Sequence, residues 1–75
     1  MYPKYRLNSL GYDCPPDFDT IGEARAELKA NVQYDLDNAP YKLARVNHDR
    51  DSIELKIGSK QGVHTYSYYT ISIVR

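Results

Sequence analysis

Apolar residues recur along this chain with two different periods. Ile21, Ala24, Leu28 and Val32 follow one another at steps of three, four and four, the spacing of a single apolar stripe on a helix that rests on a sheet. Just ahead of the stripe, Thr20-Ile21-Gly22-Glu23 fits a capping box. In that motif the threonine hydroxyl accepts from the glutamate amide, and the glutamate carboxylate reaches back to the threonine amide. The pattern predicts one helix over residues 21–34, stopped by the polar and proline-containing stretch 35–40.

The second period is two. Ile53, Leu55 and Ile57 alternate with Ser52, Glu54 and Lys56, as in a strand with one buried and one wet face. Residues 41–47 are rich in strand formers and reach this strand through the turn residues 47–51, so the two form a hairpin. A second turn over 58–62 leads into residues 63–74. There the alternation changes phase: His64, Tyr66 and Tyr68 share one face, while Tyr69, Ile71 and Ile73 share the other with Val63, Thr65 and Ser67. Either a bulge near Tyr68-Tyr69 absorbs the change, or one long strand carries aromatics on both faces. Residues 4–8 read as a further strand with Tyr5 and Leu7 on one face, and 11–18 as an irregular link. The expected fold is α+β: a single helix packed on a three- or four-stranded, mainly antiparallel sheet, in the order β-α-β-β-β, as one small globular domain over residues 1–75.

Composition sets the scale of the core. Sixteen Leu, Ile, Val and Phe residues in a 75-residue chain are enough to fold but not to bury much. Ten bases balance ten acids, which argues against broad, non-specific nucleic-acid binding, since that affinity comes from cations neutralising phosphates. One cysteine, no charged leader with an apolar run behind it, and no apolar stretch longer than residues 70–74 lead to the expectation of a cytoplasmic protein without membrane or disulfide anchoring. The charges are nevertheless segregated. Residues 13–37 hold seven acids against two bases, a net of minus five, and the remainder is plus five. Acids gather near a helix start because the macrodipole favours them there; the same stretch is also a candidate phosphate mimic toward a nucleic-acid-binding target.

Catalytic equipment is not legible. Cys14, in Cys14-Pro15-Pro16, has no histidine or second cysteine near it in sequence and reads as a small semi-buried residue in a proline turn. Asn47, Asp49 and Asp51 copy the first alternating ligands of a calcium loop, but Ser52 stands where the turn glycine belongs and Gly58 where the bidentate carboxylate belongs. His48, His64 and Cys14 lack paired zinc-ligand spacing. With no nucleophile elbow or phosphate-cradling glycine loop, the expectation is no enzyme, no catalytic residue, no metal and no cofactor.

What remains is a surface. If one helix covers the face bearing Ile53, Leu55 and Ile57, the opposite face has nothing in this chain to cover it, and alternation assigns to it Arg6, Lys42, Glu54, Lys56, His64, Tyr66 and Tyr68. Tyrosine and arginine are favoured at binding hot spots, although tyrosines also stabilise exposed strands through cross-strand pairs. The candidate partner-binding residues are Tyr66 and Tyr68, with His64, Arg6, Lys42 and Lys56 around them. The chain therefore reads as a small protein-binding module, an inhibitor, adaptor or subunit. In size and architecture alone it resembles the small phage and mobile-element products that block host defence proteins, anti-CRISPR proteins among them. The alternative is a nucleic-acid-binding domain that stacks bases on the aromatic face and holds phosphates with Lys42, Lys56 and Arg6. A homodimer through the same face is a third use of it.

Overall fold

The computed structural model describes residues 3–59 and 62–74. Strand β1 (Lys4–Ser9) is followed by a two-residue strand β2 (Asp17–Phe18), helix α1 (Ile21–Asn38), and strands β3 (Leu43–Asp49), β4 (Ser52–Ser59) and β5 (Gly62–Val74). They form one sheet in the order β2-β1-β5-β4-β3, antiparallel throughout. The last three strands are a meander, and β1 docks on the far side of β5, where Leu7 pairs with Ile71.

The helix begins as the sequence dictates. Thr20 is extended, its Oγ1 accepts from the Glu23 amide at 3.2 Å, and Glu23 Oε1 accepts from the Thr20 amide at 3.2 Å. It continues one turn beyond the expected 34. Polar residues near the end find local partners instead of breaking it: Gln33 donates to Asp37 and the Asn38 side chain donates to the Tyr34 carbonyl, both at 2.9 Å. Pro40 sets the stop, because the residue before a proline is pushed out of the helical region, and Ala39 is extended at ψ 141°.

Three further expectations are corrected. The sheet has five strands because Asp17–Phe18, inside the expected irregular link, pairs with Tyr5 and Arg6; two residues are too few to show a period. Strand β3 starts and ends later than 41–47, running up to Asp49 with a register shift between Asn47 and Asp49. The phase change of β5 is absorbed by a bulge at Tyr66, opposite the Leu55–Lys56 step, and not at Tyr68-Tyr69. The second turn has its tip, Lys60 and Gln61, outside the described residues, and Gly62 leaves it with φ +129°, a conformation that favours glycine.

The core lies between α1 and one face of the sheet. Leu7 and Leu55, fully buried, come from β1 and β4; Ala24, Leu28 and Val32 come from the helical stripe, and Ile53 and Tyr69 complete the layer. Ile21 and Leu36 extend the stripe half-buried at its ends, with Leu36 packed against the core. Near the helix end, the Tyr69 hydroxyl donates to Asp35. Helix α1 approaches β1, β5 and β2 most closely, so the β3–β4 half of this face is less covered, and no element crosses the opposite face among the described residues.

Candidate functional site

The uncovered face is built from the alternate residues of all five strands. Register places Arg6 opposite Ser72 and Asn8 opposite Thr70, and Glu54 opposite Tyr68 and Lys56 opposite Thr65. These side chains bond to one another. Arg6 forms a fork on Asp17, Nε to Oδ1 at 2.8 Å and Nη2 to Oδ2 at 3.2 Å, and this hydrogen bond, with the guanidinium charge behind it, holds the Asp17 carboxyl below its ordinary pKa. Lys4 is paired with Asp19. The Asn8 amide donates to the Ser72 hydroxyl at 3.0 Å.

Glu54 is the hub of the other half. It accepts from the Thr65 hydroxyl and from His48 Nε2 at 2.9 Å, and Lys56 Nζ lies 3.8 Å away. The Thr65 hydrogen bond first, then that of His48, lowers its pKa against a smaller desolvation effect. Thr65 and His48 bond to the two different oxygens of one carboxylate and are not arranged as a hydroxyl nucleophile with its base, which would need the hydroxyl to donate to the imidazole. Around Glu54 runs a shallow groove of about 470 Å³, with Leu10, Tyr68, His48, Thr65 and Thr70 on its sides. Leu10, just past the end of β1, is 59% exposed, and Tyr68 is 36% exposed; they supply the apolar surface.

The face expected from alternation is therefore altered. Tyr68, Arg6 and Lys56 lie on it. Tyr66 does not: the bulge turns it to the helix side, where it packs against the core and lines a second depression of about 370 Å³ with Tyr12, Asp35 and Tyr69. His64 is exposed and pairs with Ile57, in register with the helix-side residues. Lys42 is exposed but precedes β3 and is not part of the sheet. One inserted residue causes the first two changes, since it reverses the facing of every position on one side of it. Leu10 and His48 carry no sequence signal: one is a single leucine after a strand, the other lies in what reads as a turn.

Cys14 is an exposed free thiol, not a semi-buried one, because the link around it runs over the surface, pinned by the Asn31 side chain donating to the Tyr12 hydroxyl at 2.8 Å. Asn47 accepts from Arg45 Nε at 3.1 Å, Asp49 accepts from the Asp51 amide at 2.7 Å, and Asp51 is paired with Arg25. Among the described residues, no group of three or more His, Cys, Asp or Glu is placed to hold a metal ion. The acidic stretch is partly neutralised, as Asp17 and Asp19 are the partners of Arg6 and Lys4. No described helix is long and apolar enough to cross a membrane. The chain matches none of the protein-family models, curated proteins or solved structures with which it was compared.

Proposed function

We propose that this chain is a small non-enzymatic protein-binding module that acts by occupying a partner's surface, as an inhibitor, adaptor or subunit, through the open sheet face around the Leu10–Tyr68 groove. The observation that carries the reading is the coincidence of exposed apolar surface with satisfied charge. Leu10 and Tyr68 offer a patch that water solvates poorly, while Lys4, Arg6 and Lys56 each have a carboxylate partner on the same face. A nucleic acid draws its affinity from cations free to neutralise phosphates, so this face favours a protein that inserts an apolar side chain beside Tyr68 and bonds with the polar rim. The groove is open and shallow, which suits a partner's protruding residue better than an enclosed substrate.

The test is comparative capture from lysate with the parent chain, Leu10→Glu, Tyr68→Ala and, as a control on the helix surface, Tyr34→Ser, followed by direct titration of the captured protein. The reading expects a partner held by the parent and by Tyr34→Ser and lost with both groove variants. Capture unaffected by either groove variant, or retention on heparin at low salt with no protein partner, overturns it. Concentration-dependent dimerisation abolished by Leu10→Glu would assign the same face to self-association.

A further inference from the structure

On the helix side, where α1 leaves the β3–β4 half of the sheet less covered, a pocket of about 220 Å³ is lined by four cations: Arg25 and Lys29 from α1, Arg45 from β3, and Arg50 from the turn that follows. Leu28 and Ile53 complete its wall. Arg25 and Lys29 are four residues apart and so stand one above the other on the helix. These are four of the ten Lys and Arg residues of a chain with no net charge, so their convergence does not follow from a basic composition.

Their donors are only partly spent. Asp51 takes Nε and Nη2 of Arg25 at 2.7 and 3.2 Å, leaving Nη1. Asn47 takes Nε of Arg45 at 3.1 Å, leaving both terminal nitrogens, the pair that grips an oxyanion end-on. Neither Lys29 nor Arg50 forms a hydrogen bond or close ion pair with any described residue. Among the described residues Asp51 is thus the single carboxylate paired with a cation of this group, and its charge also acts on Arg50, so four positive charges face one paired negative charge around the opening. Like charges held together repel, and an anion seated among them removes that repulsion while satisfying several N–H donors at once.

We propose that this pocket binds a small phosphorylated ligand through a terminal phosphate or pyrophosphate group. Its volume falls below the roughly 300 Å³ at which drug-sized ligand sites begin, so it accepts the phosphate and little else, with Leu28 and Ile53 against the attached carbon atoms. A nucleic-acid backbone is the poorer fit. Each phosphodiester carries one charge and successive phosphates need cations strung along a path, whereas these four converge on one point and suit a group that concentrates two or more charges. The site is on the opposite side of the sheet from the Leu10–Tyr68 groove and does not depend on it.

The experiment titrates inorganic phosphate, pyrophosphate and a nucleoside monophosphate into the full chain at constant ionic strength, following backbone amide resonances. The proposal expects saturable one-to-one binding, with shifts concentrated at residues 25–29 and 45–53. Lys29→Gln and Arg50→Gln, both exposed and without a hydrogen-bond partner among the described residues, should each weaken binding about tenfold, the effect of one charge-assisted hydrogen bond, and should not lower the melting temperature of the free protein. Equal affinity for pyrophosphate and the nucleoside monophosphate would identify the phosphate as the sole determinant; tighter binding of the latter would add its organic part. Shifts that do not saturate at millimolar ligand, or affinity indifferent to both variants, overturn the proposal. A hydroxyl-ended oligonucleotide that binds more tightly than pyrophosphate also overturns it, in favour of a nucleic-acid interface.

Discussion

Asp51, at the turn between β3 and β4, accepts two hydrogen bonds from Arg25 on α1, and this fork ties the edge hairpin of the sheet to a helix that packs most closely over β1, β2 and β5. The Asp51 backbone carbonyl also accepts from the Ile71 amide at 2.9 Å, so one residue links helix, turn and central strand. The Arg25 hydrogen bond holds the Asp51 carboxyl below its ordinary pKa, against desolvation.

A folded-state pKa below the unfolded value means that Asp51 stabilises the fold above the ordinary carboxylate range, and that this contribution is lost as pH falls through the native value. Asp51→Asn should lower the melting temperature by a few degrees at neutral pH, with the gap to the parent closing under strong acid. Thermal melts of both proteins from neutral pH to about pH 2 check this, since a carboxyl fully protonated in both states no longer contributes. A constant gap across that range would show that the pairing charge is not the cause.

Core truncation should be costly at the two fully buried leucines. Leu7→Ala or Leu55→Ala is expected to remove about 2–5 kcal/mol, a large part of the 5–15 kcal/mol typical of a domain. Leu28→Ala, on the helical stripe, should fall in the same range, because its side chain is buried among these residues. Ile73→Ala, at a position 54% exposed, should stay within about 1 kcal/mol by urea unfolding.

Tyr69 is buried against Asp35, and burial first, then the hydrogen bond it donates to that carboxylate, pushes its phenol up to about 12. A raised native pKa contributes stability that is fully present below the unfolded value and disappears as pH rises through the native one. The parent should therefore lose stability relative to Tyr69→Phe as pH climbs from about 10, the ordinary tyrosine value, toward 12. Spectrophotometric titration should show one phenolate transition near 12 that Tyr69→Phe abolishes.

The bulge at Tyr66 makes two neighbouring tyrosines behave differently. Tyr66→Ala strips a half-buried ring from the core and should destabilise by about 1–3 kcal/mol. Tyr68→Ala, on the open face, should change stability by no more than about 0.5–1 kcal/mol while removing the binding proposed for the groove. Equal destabilisation by both substitutions, measured by urea unfolding, would place the two rings on the same side.

Features that depend on near neighbours are legible in the amino-acid order. A capping box at Thr20–Glu23, a stripe at Ala24, Leu28 and Val32, and the alternation of Ile53, Leu55 and Ile57 are each complete within one element, so they specify the helix, the central strand and its core face without reference to packing. Even the helix end was partly legible, since Pro40 acts on the residue beside it, although the side-chain bonds that carry the helix through Asp37 and Asn38 could not be weighed in advance. How these elements combine depends on long-range contacts. The placement of β1 between β5 and a two-residue β2, the position of the bulge that parts Tyr66 from Tyr68, and the meeting of Arg25, Lys29, Arg45 and Arg50 around one pocket all depend on residues far apart in the chain. Alternation specifies a face only while the register is unbroken, and where the extra residue enters is set by the partner strand, here at the Leu55–Lys56 step of β4.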